Sequence, residues 1–290
     1  MAWYRPQSLP EALELLERRR PRIVCGGTDL FVNAPRKEYE AGKTDWLEVR
    51  GLPELRRISR QAEGLEIGAA VTAAEIWESR ELRMVPALQQ AARIVGGWQI
   101  QNRASIGGNV ANASPAADML VPLVAYRAEV RLASASGSRS VPIADFVEGP
   151  KRTQLRPGEM IVSLFIPARM LGVPQIFLRH DQRAATDISI VSVALILQGN
   201  ARQVEWGTAA VGAAAPKPFT LSDEEERLWA GKLDADKLRR LGELYAQRSS
   251  PITDVRAGAQ YRRSLVGTYV VRAGQALLSN LEQTEGEAWR

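Results

Sequence analysis

Apolar positions recur along the chain at helical and at strand spacing, and each change of spacing falls at a proline, a glycine or a capping residue. Ala12, Leu13, Leu15 and Leu16 share a helical face. Ser8-Leu9-Pro10-Glu11 predicts where that helix opens, with Ser8 as cap, Pro10 in the first turn and Glu11 completing a capping box. Pro21 stops it, and Arg22-Ile23-Val24-Cys25 reads as a short strand. Residues 46–49 and 65–71 read as further strands, the second leading into a helix from Thr72. A helix from Pro86 through Val95 ends at Gly96-Gly97. Ser114 as cap and Pro115 at the first helical position predict another, with Leu120, Leu123 and Val124 on one face and Asp118 in its first turn. Residues 128–133 and 138–143 form a predicted hairpin around Gly137, and 160–166 a β-branched strand closing at Pro167.

Beyond Pro167 the pattern changes. Three strands are predicted, over 175–180, 188–197 and 204–211, the last two joined by a Gly199-Asn200 turn. Helices follow over 223–230, 234–247 and 260–278, with a frayed tail from Glu282. Antiparallel strands followed by helices predict a separate α+β domain, its boundary between Pro167 and Gly172.

Two glycine pairs stand out against this framework: Cys25-Gly26-Gly27-Thr28-Asp29-Leu30 and Ser105-Ile106-Gly107-Gly108-Asn109. Glycine allows close approach to an oxyanion and takes the positive φ that aligns successive N–H groups. A Gly-Gly pair alone is a turn signal. Two pairs with small hydroxyl and amide neighbours suggest one ligand held from two sides, such as the pyrophosphate of a dinucleotide. Neither has the spacing of a Rossmann fingerprint or a P-loop.

Composition narrows the chemistry. The chain has 290 residues, 45% hydrophobic and 24% charged, with a net charge of +5. Its basic residues are scattered. The tightest run, Arg18-Arg19-Arg20, closes a predicted helix, where cations oppose the macrodipole, so nucleic acid is not the expected partner. No apolar run is long enough to span a bilayer, and the start lacks a secretory h-region, which predicts a cytoplasmic protein. Cys25 is the single cysteine and His180 the single histidine. One thiol holds neither an iron–sulfur cluster nor zinc, so electron chemistry here would need an organic cofactor.

The residues that carry a family resemblance are the first glycine loop, the run Gln99-Ile100-Gln101-Asn102-Arg103-Ala104-Ser105-Ile106-Gly107-Gly108-Asn109, and Asn112-Ala113-Ser114-Pro115-Ala116-Ala117-Asp118. Arg183-Ala184-Ala185-Thr186-Asp187-Ile188 and residues 212–218 add to it. Through these the chain resembles the FAD-binding medium subunit of the molybdenum hydroxylases, the group that includes carbon monoxide dehydrogenase, xanthine dehydrogenase and related aldehyde dehydrogenases. The resemblance implies an α+β architecture. Two α/β subdomains of the vanillyl-alcohol-oxidase and para-cresol-methylhydroxylase type, about 1–52 and 53–168, would hold FAD. A C-terminal α+β domain over 172–282, a three-stranded antiparallel sheet with helices, would cover the isoalloxazine.

Carried over by position, Ile23, Val24, Cys25, Gly26, Gly27, Thr28, Asp29 and Leu30 would form the first pyrophosphate loop. Ser105, Ile106, Gly107, Gly108 and Asn109 would form the second. Asp118 would bond the ribityl or phosphate-proximal part, and Ile161 would line the cavity through its backbone. Arg179 stands where many relatives have lysine and would present a positive charge to reduced flavin. Ile188 stands where carbon monoxide dehydrogenase has an aromatic residue.

The implied function is electron transfer within a dimer of heterotrimers. FAD on this chain would take electrons from clusters on a small iron–sulfur subunit, fed by a large molybdopterin subunit, and pass them to NAD or another acceptor. A stand-alone FAD-dependent reductase of the same fold and a non-catalytic assembly subunit are the alternatives. Catalytic residues are not assigned, because substrate chemistry would lie on the large subunit.

Overall fold

The computed structural model describes residues 1–30, 44–183, 186–200 and 203–287, so Ala184 and Ala185 of the fourth motif lie outside the described residues. Ser8 caps the first helix, Leu9–Arg19, by accepting the Glu11 N–H. Glu11 returns its carboxylate to Gln7 N–H at 2.7 Å. Ala12 and Leu16 bury the helix face against strand β3 (Trp46–Glu48) and neighbouring residues of a small core. β3 lies between β1 (Trp3–Tyr4) and β2 (Arg22–Val24) in a parallel sheet, so the chain leaves the carboxyl end of an edge strand directly into Cys25-Gly26-Gly27.

The second sheet is antiparallel and has five strands: β4 (Ile58–Arg60), β5 (Gly64–Gly68), β6 (Glu129–Ser134), β7 (Gly137–Pro142) and β10 (Met160–Pro167), in the order β4-β5-β10-β6-β7. A small hairpin, β8 (Val147–Gly149) with β9 (Arg152–Thr153), precedes β10. Helices Ala73–Glu78, Pro86–Arg93, Ile106–Asn112 and Leu120–Ala125 pack with this sheet in the main core. Thr72 opens the first of them with a complete capping box.

The helix predicted from Ser114 starts instead at Leu120. Ser114 Oγ accepts from Ala116 N–H (3.3 Å), a local turn rather than a helix cap. The Pro115 carbonyl is drawn outward to the Ala213 N–H, 2.8 Å away in the C-terminal part of the chain. Asp118 therefore sits in a turn, not in a helix.

β11 (Gln175–His180), β12 (Val191–Gly199) and β13 (Val204–Gly212) form the predicted antiparallel sheet. β12 starts three residues later than predicted, because the Asp187 carboxylate gathers the N–H groups of Gln182 and Ile188, each at 2.9 Å, into a loop. Helices Asp223–Glu226, Ala235–Arg248 and Ala259–Glu287 follow, and the last continues past the expected end. No described helix is long and apolar enough to cross a membrane.

Alternation along β12 gives this sheet two apolar faces. Val193, Leu195 and Leu197 pack on the C-terminal helices. Ala194 and Ile196, with Phe177 and Ala210, belong to the same core as the five-stranded sheet. Polar bonds pin the junction. Gln175 receives the Tyr126 hydroxyl and the Ala87 N–H and donates to Val173 O (3.1 Å). Arg127 reaches Asp223 at 2.7 Å and the buried Glu226 at 2.5 Å. Trp229 is fully buried here, whereas Trp98 is 54% exposed and meets Trp77 edge-on.

Candidate functional site

The first glycine loop leaves three consecutive backbone donors free. Among the described residues, the N–H groups of Gly26, Gly27 and Thr28 have no acceptor within the protein. Gly27 has φ 74°, the left-handed conformation that turns consecutive N–H groups to a common side. Gly26 does something else. A Cβ there would lie 2.7 Å from the Arg103 carbonyl carbon and closer still to its oxygen. The missing side chain lets this loop rest on the backbone just before the second loop, and Arg103 Nε donates back to Gly26 O (3.3 Å). Burial raises the Cys25 thiol above its ordinary value, so it stays protonated at neutral pH.

The second loop is built differently. Ser105 caps the Ile106–Asn112 helix through its side chain, which accepts from Gly108 N–H at 3.1 Å. The Ile106 N–H bonds Val71 O, the Gly107 N–H bonds Ala69 O and the Asn109 N–H bonds Ser105 O, each at 2.9 Å. Its backbone donors are thus already engaged. A Cβ on Gly107 would meet Ala69 at 2.6 Å, so this glycine serves packing on the strand end. What the loop offers a ligand is the exposed, side-chain-free Gly108 and the Asn109 amide, whose Oδ1 is buried without a partner.

β11 and the Ser114–Asp118 turn assemble a charged cluster. Arg179 Nη1 donates to Asp118 Oδ2 at 2.8 Å and to Ile94 O at 3.0 Å, and Nε bonds the Asp181 carboxylate. The Arg179 side chain is 4% exposed and that of Asp118 9%. The positive charge expected to face a ligand is met by two carboxylates, Asp118 and Asp181. Burial raises Asp118 to about 7, with Arg179 opposing the rise and Asp181 adding to it. Asp118 Oδ1 has no partner.

Ser192, opposite Arg179 on β12, has a buried hydroxyl that likewise lacks one, and a Cβ on neighbouring Gly212 would come within 2.6 Å of it. Sequence reasoning missed Ser192, since a serine in a β-strand carries no local signal of what it faces. It also missed Lys151, whose ammonium bonds Asp29 Oδ2 at 2.8 Å and the Asn112 side chain.

The remaining positions are spread more widely. Val24 is buried at the end of β2, Ile23 packs partly on the small core, and Thr28, Asp29 and Leu30 continue the first loop. Ile161 has its side chain in the main core beside a β-bulge between β10 and β6. Ile188 is exposed. The ring nitrogens of His180 lie 3.0 Å and 3.1 Å from the Tyr269 and Tyr261 hydroxyls, so this side chain is tied to the long C-terminal helix.

The charge cluster predicts a pH dependence. An aspartate whose carboxyl is raised on folding loses stability as pH climbs from its unfolded value near 3.8 to the folded value about 7, because the native state holds the proton longer. Asp118→Asn removes that titration. The difference in unfolding free energy between variant and wild type should move in the variant's favour between pH 5 and pH 8, by on the order of 2 kcal/mol. Urea unfolding at the two pH values measures it; a pH-independent difference would contradict the assignment.

Comparison with known proteins identifies the family. Residues 1–169 match the FAD binding domain in molybdopterin dehydrogenase, and residues 177–277 match the CO dehydrogenase flavoprotein C-terminal domain. The glyceraldehyde dehydrogenase medium chain of Sulfolobus acidocaldarius is 31% identical over 275 residues, covering 94% of this chain and 96% of that one. The xanthine dehydrogenase FAD-binding subunit of Escherichia coli O157:H7 is 30% identical, covering 92% of each. Among solved structures, quinoline 2-oxidoreductase from Pseudomonas putida 86 superposes with a TM-score of 0.87 at 25% identity, covering 97% of this chain and 98% of that one. CO dehydrogenase from Oligotropha carboxidovorans shares the fold, with a TM-score of 0.89, 24% identity and coverage of 96% and 98%. The chain belongs to the FAD-binding medium subunits of the molybdenum hydroxylases, an oxidoreductase component whose cofactor is FAD.

Proposed function

We propose that this chain is the electron-transfer subunit of a cytoplasmic molybdenum-dependent dehydrogenase. It would stand between iron–sulfur clusters on a small partner chain and NAD or another acceptor. A large molybdopterin subunit completes a heterotrimer that pairs into a dimer. The FAD-binding part would run to residue 168, divided near residue 52, and the C-terminal domain from 172 to 282.

The observation that carries the assignment of the loops is the run of unbonded N–H groups at Gly26, Gly27 and Thr28. A diphosphate supplies the acceptors those donors lack. The unpartnered Asn109 Oδ1, Asp118 Oδ1 and Ser192 Oγ suit a ligand rich in hydroxyl and N–H groups, so the residues present fit FAD. FAD, when bound, would supply a centre that accepts electrons singly and releases them in pairs. The protein's part is to bind and orient. The first loop would donate its three N–H groups to the diphosphate, Asn109 would reach it from the second loop, and Asp118, steadied by Arg179, would accept from the ribityl chain. The exposed side chains of Trp98, Ile100 and Ile188 are candidates for cover by partner chains.

Gly108→Val tests the loop assignment. Its Cβ would meet Ser105 Oγ, the helix cap, at 2.9 Å, so the fold should lose about 1–2 kcal/mol. FAD affinity should fall at least about tenfold if the bare surface of the second loop faces the cofactor. Fluorescence titration of the deflavinated chain with FAD, beside a thermal melt, gives both numbers, and unchanged affinity would exclude this surface. For electron transfer, FAD on the isolated chain should resist reduction by a low-potential partner's substrate until the cluster and molybdopterin chains are added. Turnover of a small acceptor without them would favour a self-sufficient reductase.

A further inference from the structure

The first loop carries a carboxylate, Asp29, directly after the N–H groups that would receive a diphosphate. An unneutralised carboxylate beside a dianion weakens its binding. Lys151 answers that charge. It sits at the turn between β8 and β9, with φ 61° and its own N–H bonded to Ala113 O at 3.0 Å. This turn is far from both glycine loops in sequence. From there its ammonium donates to Asp29 Oδ2 at 2.8 Å and to Oδ1 of Asn112, the last residue of the helix that the second loop opens. One cation therefore joins the end of the first loop to the end of the second loop's helix. Asp29 and Lys151 are 43% and 48% exposed, so this is a rim contact that ions and ligands can reach.

We propose that Lys151 is a positioning residue for FAD: it cancels the Asp29 charge and holds that side chain against Asn112, making the first loop compatible with an anionic cofactor. This rests on the first loop's being the diphosphate site. Its consequence is a non-additive pair. With Lys151 removed, Asp29 loses this countercharge beside the cofactor; with both removed, the repulsion from that carboxylate goes too.

The test is FAD affinity of the deflavinated full chain at low ionic strength, measured by quenching of flavin fluorescence, for wild type, Lys151→Met, Asp29→Asn, the double variant and Lys151→Arg. Lys151→Met should weaken FAD about tenfold, and added salt should shrink that loss. Asp29→Asn should bind more tightly than wild type, because it leaves the Lys151 charge uncancelled beside the anionic cofactor. The double variant should recover to within about threefold of Asp29→Asn, and Lys151→Arg should stay close to wild type. Lys151→Met binding like wild type would overturn the proposal, and so would a double variant as weak as Lys151→Met, which indicates a structural tie alone. The loop assignment fails separately, if Gly108→Val and substitutions of the first loop all leave FAD bound.

Discussion

Gly26→Ala is expected to yield a chain that holds little or no FAD and unfolds well below wild type. The added methyl does not meet the cofactor; it meets the Arg103 backbone, 2.7 Å from the carbonyl carbon. Side chains relieve such an overlap by changing rotamer, but backbone relieves it only by moving. The movement separates the two loops, because Gly26 and Arg103 are where they touch, and it breaks the bond from Arg103 Nε to Gly26 O. Overpacking of this kind costs about 3 kcal/mol, and the site is lost with the contact. The flavin-to-protein ratio after gel filtration, read beside circular-dichroism melts, measures both effects. Full flavin content with an unchanged melting temperature would mean that the loops are held together by something else.

Arg179→Met should be the most destabilising substitution at the charge cluster. The guanidinium is the shared partner of Asp118 and Asp181, and both carboxylates are largely buried. Removing one member of such a group leaves uncompensated charge inside the protein, at a cost of about 3–5 kcal/mol. The effect should depend on pH in a known direction. Asp118 is already raised to about 7 with Arg179 opposing the rise, so loss of the arginine raises it further. At pH 5 the carboxyl is protonated and the variant should be less impaired; at pH 8 ionisation demands the missing cation. Denaturant unfolding at the two pH values checks this, and equal losses would show that the cluster is not electrostatic in origin. Arg179→Lys keeps the charge but not the fork that reaches Ile94 O and two carboxylates together, so it should recover only part of the stability.

Much of the architecture was legible in the sequence because its signals are local. Ser8, Thr72 and Asp234 cap helices through their side chains, and Gly137 opens the strand that returns the predicted hairpin. The Ser114–Asp118 segment misled because Ser-Pro is a good helix opening, yet a hydrogen bond from Ala213, almost a hundred residues on, holds Pro115 in a turn. The two glycine pairs were legible as paired loops, but what each glycine packs against was not. Which glycine is exposed and which faces Arg103 or Ala69 depends on elements far apart in the chain. Arg179 shows the same limit: its charge is plain in the sequence, whereas its neutralisation by Asp118, 61 positions away, exists only in the fold.

The inner face of the C-terminal sheet also decides how far the two parts of the chain can move apart. Phe177, Ala194, Ile196 and Ala210 complete a core that belongs to the other domain, so the two cannot part like the halves of a hinge without wetting it. Exposing Phe177 and Ile196 alone costs about 3–6 kcal/mol, which holds a parted form to less than about one molecule in a hundred. The two parts of the chain therefore behave as one packed body in the folded state.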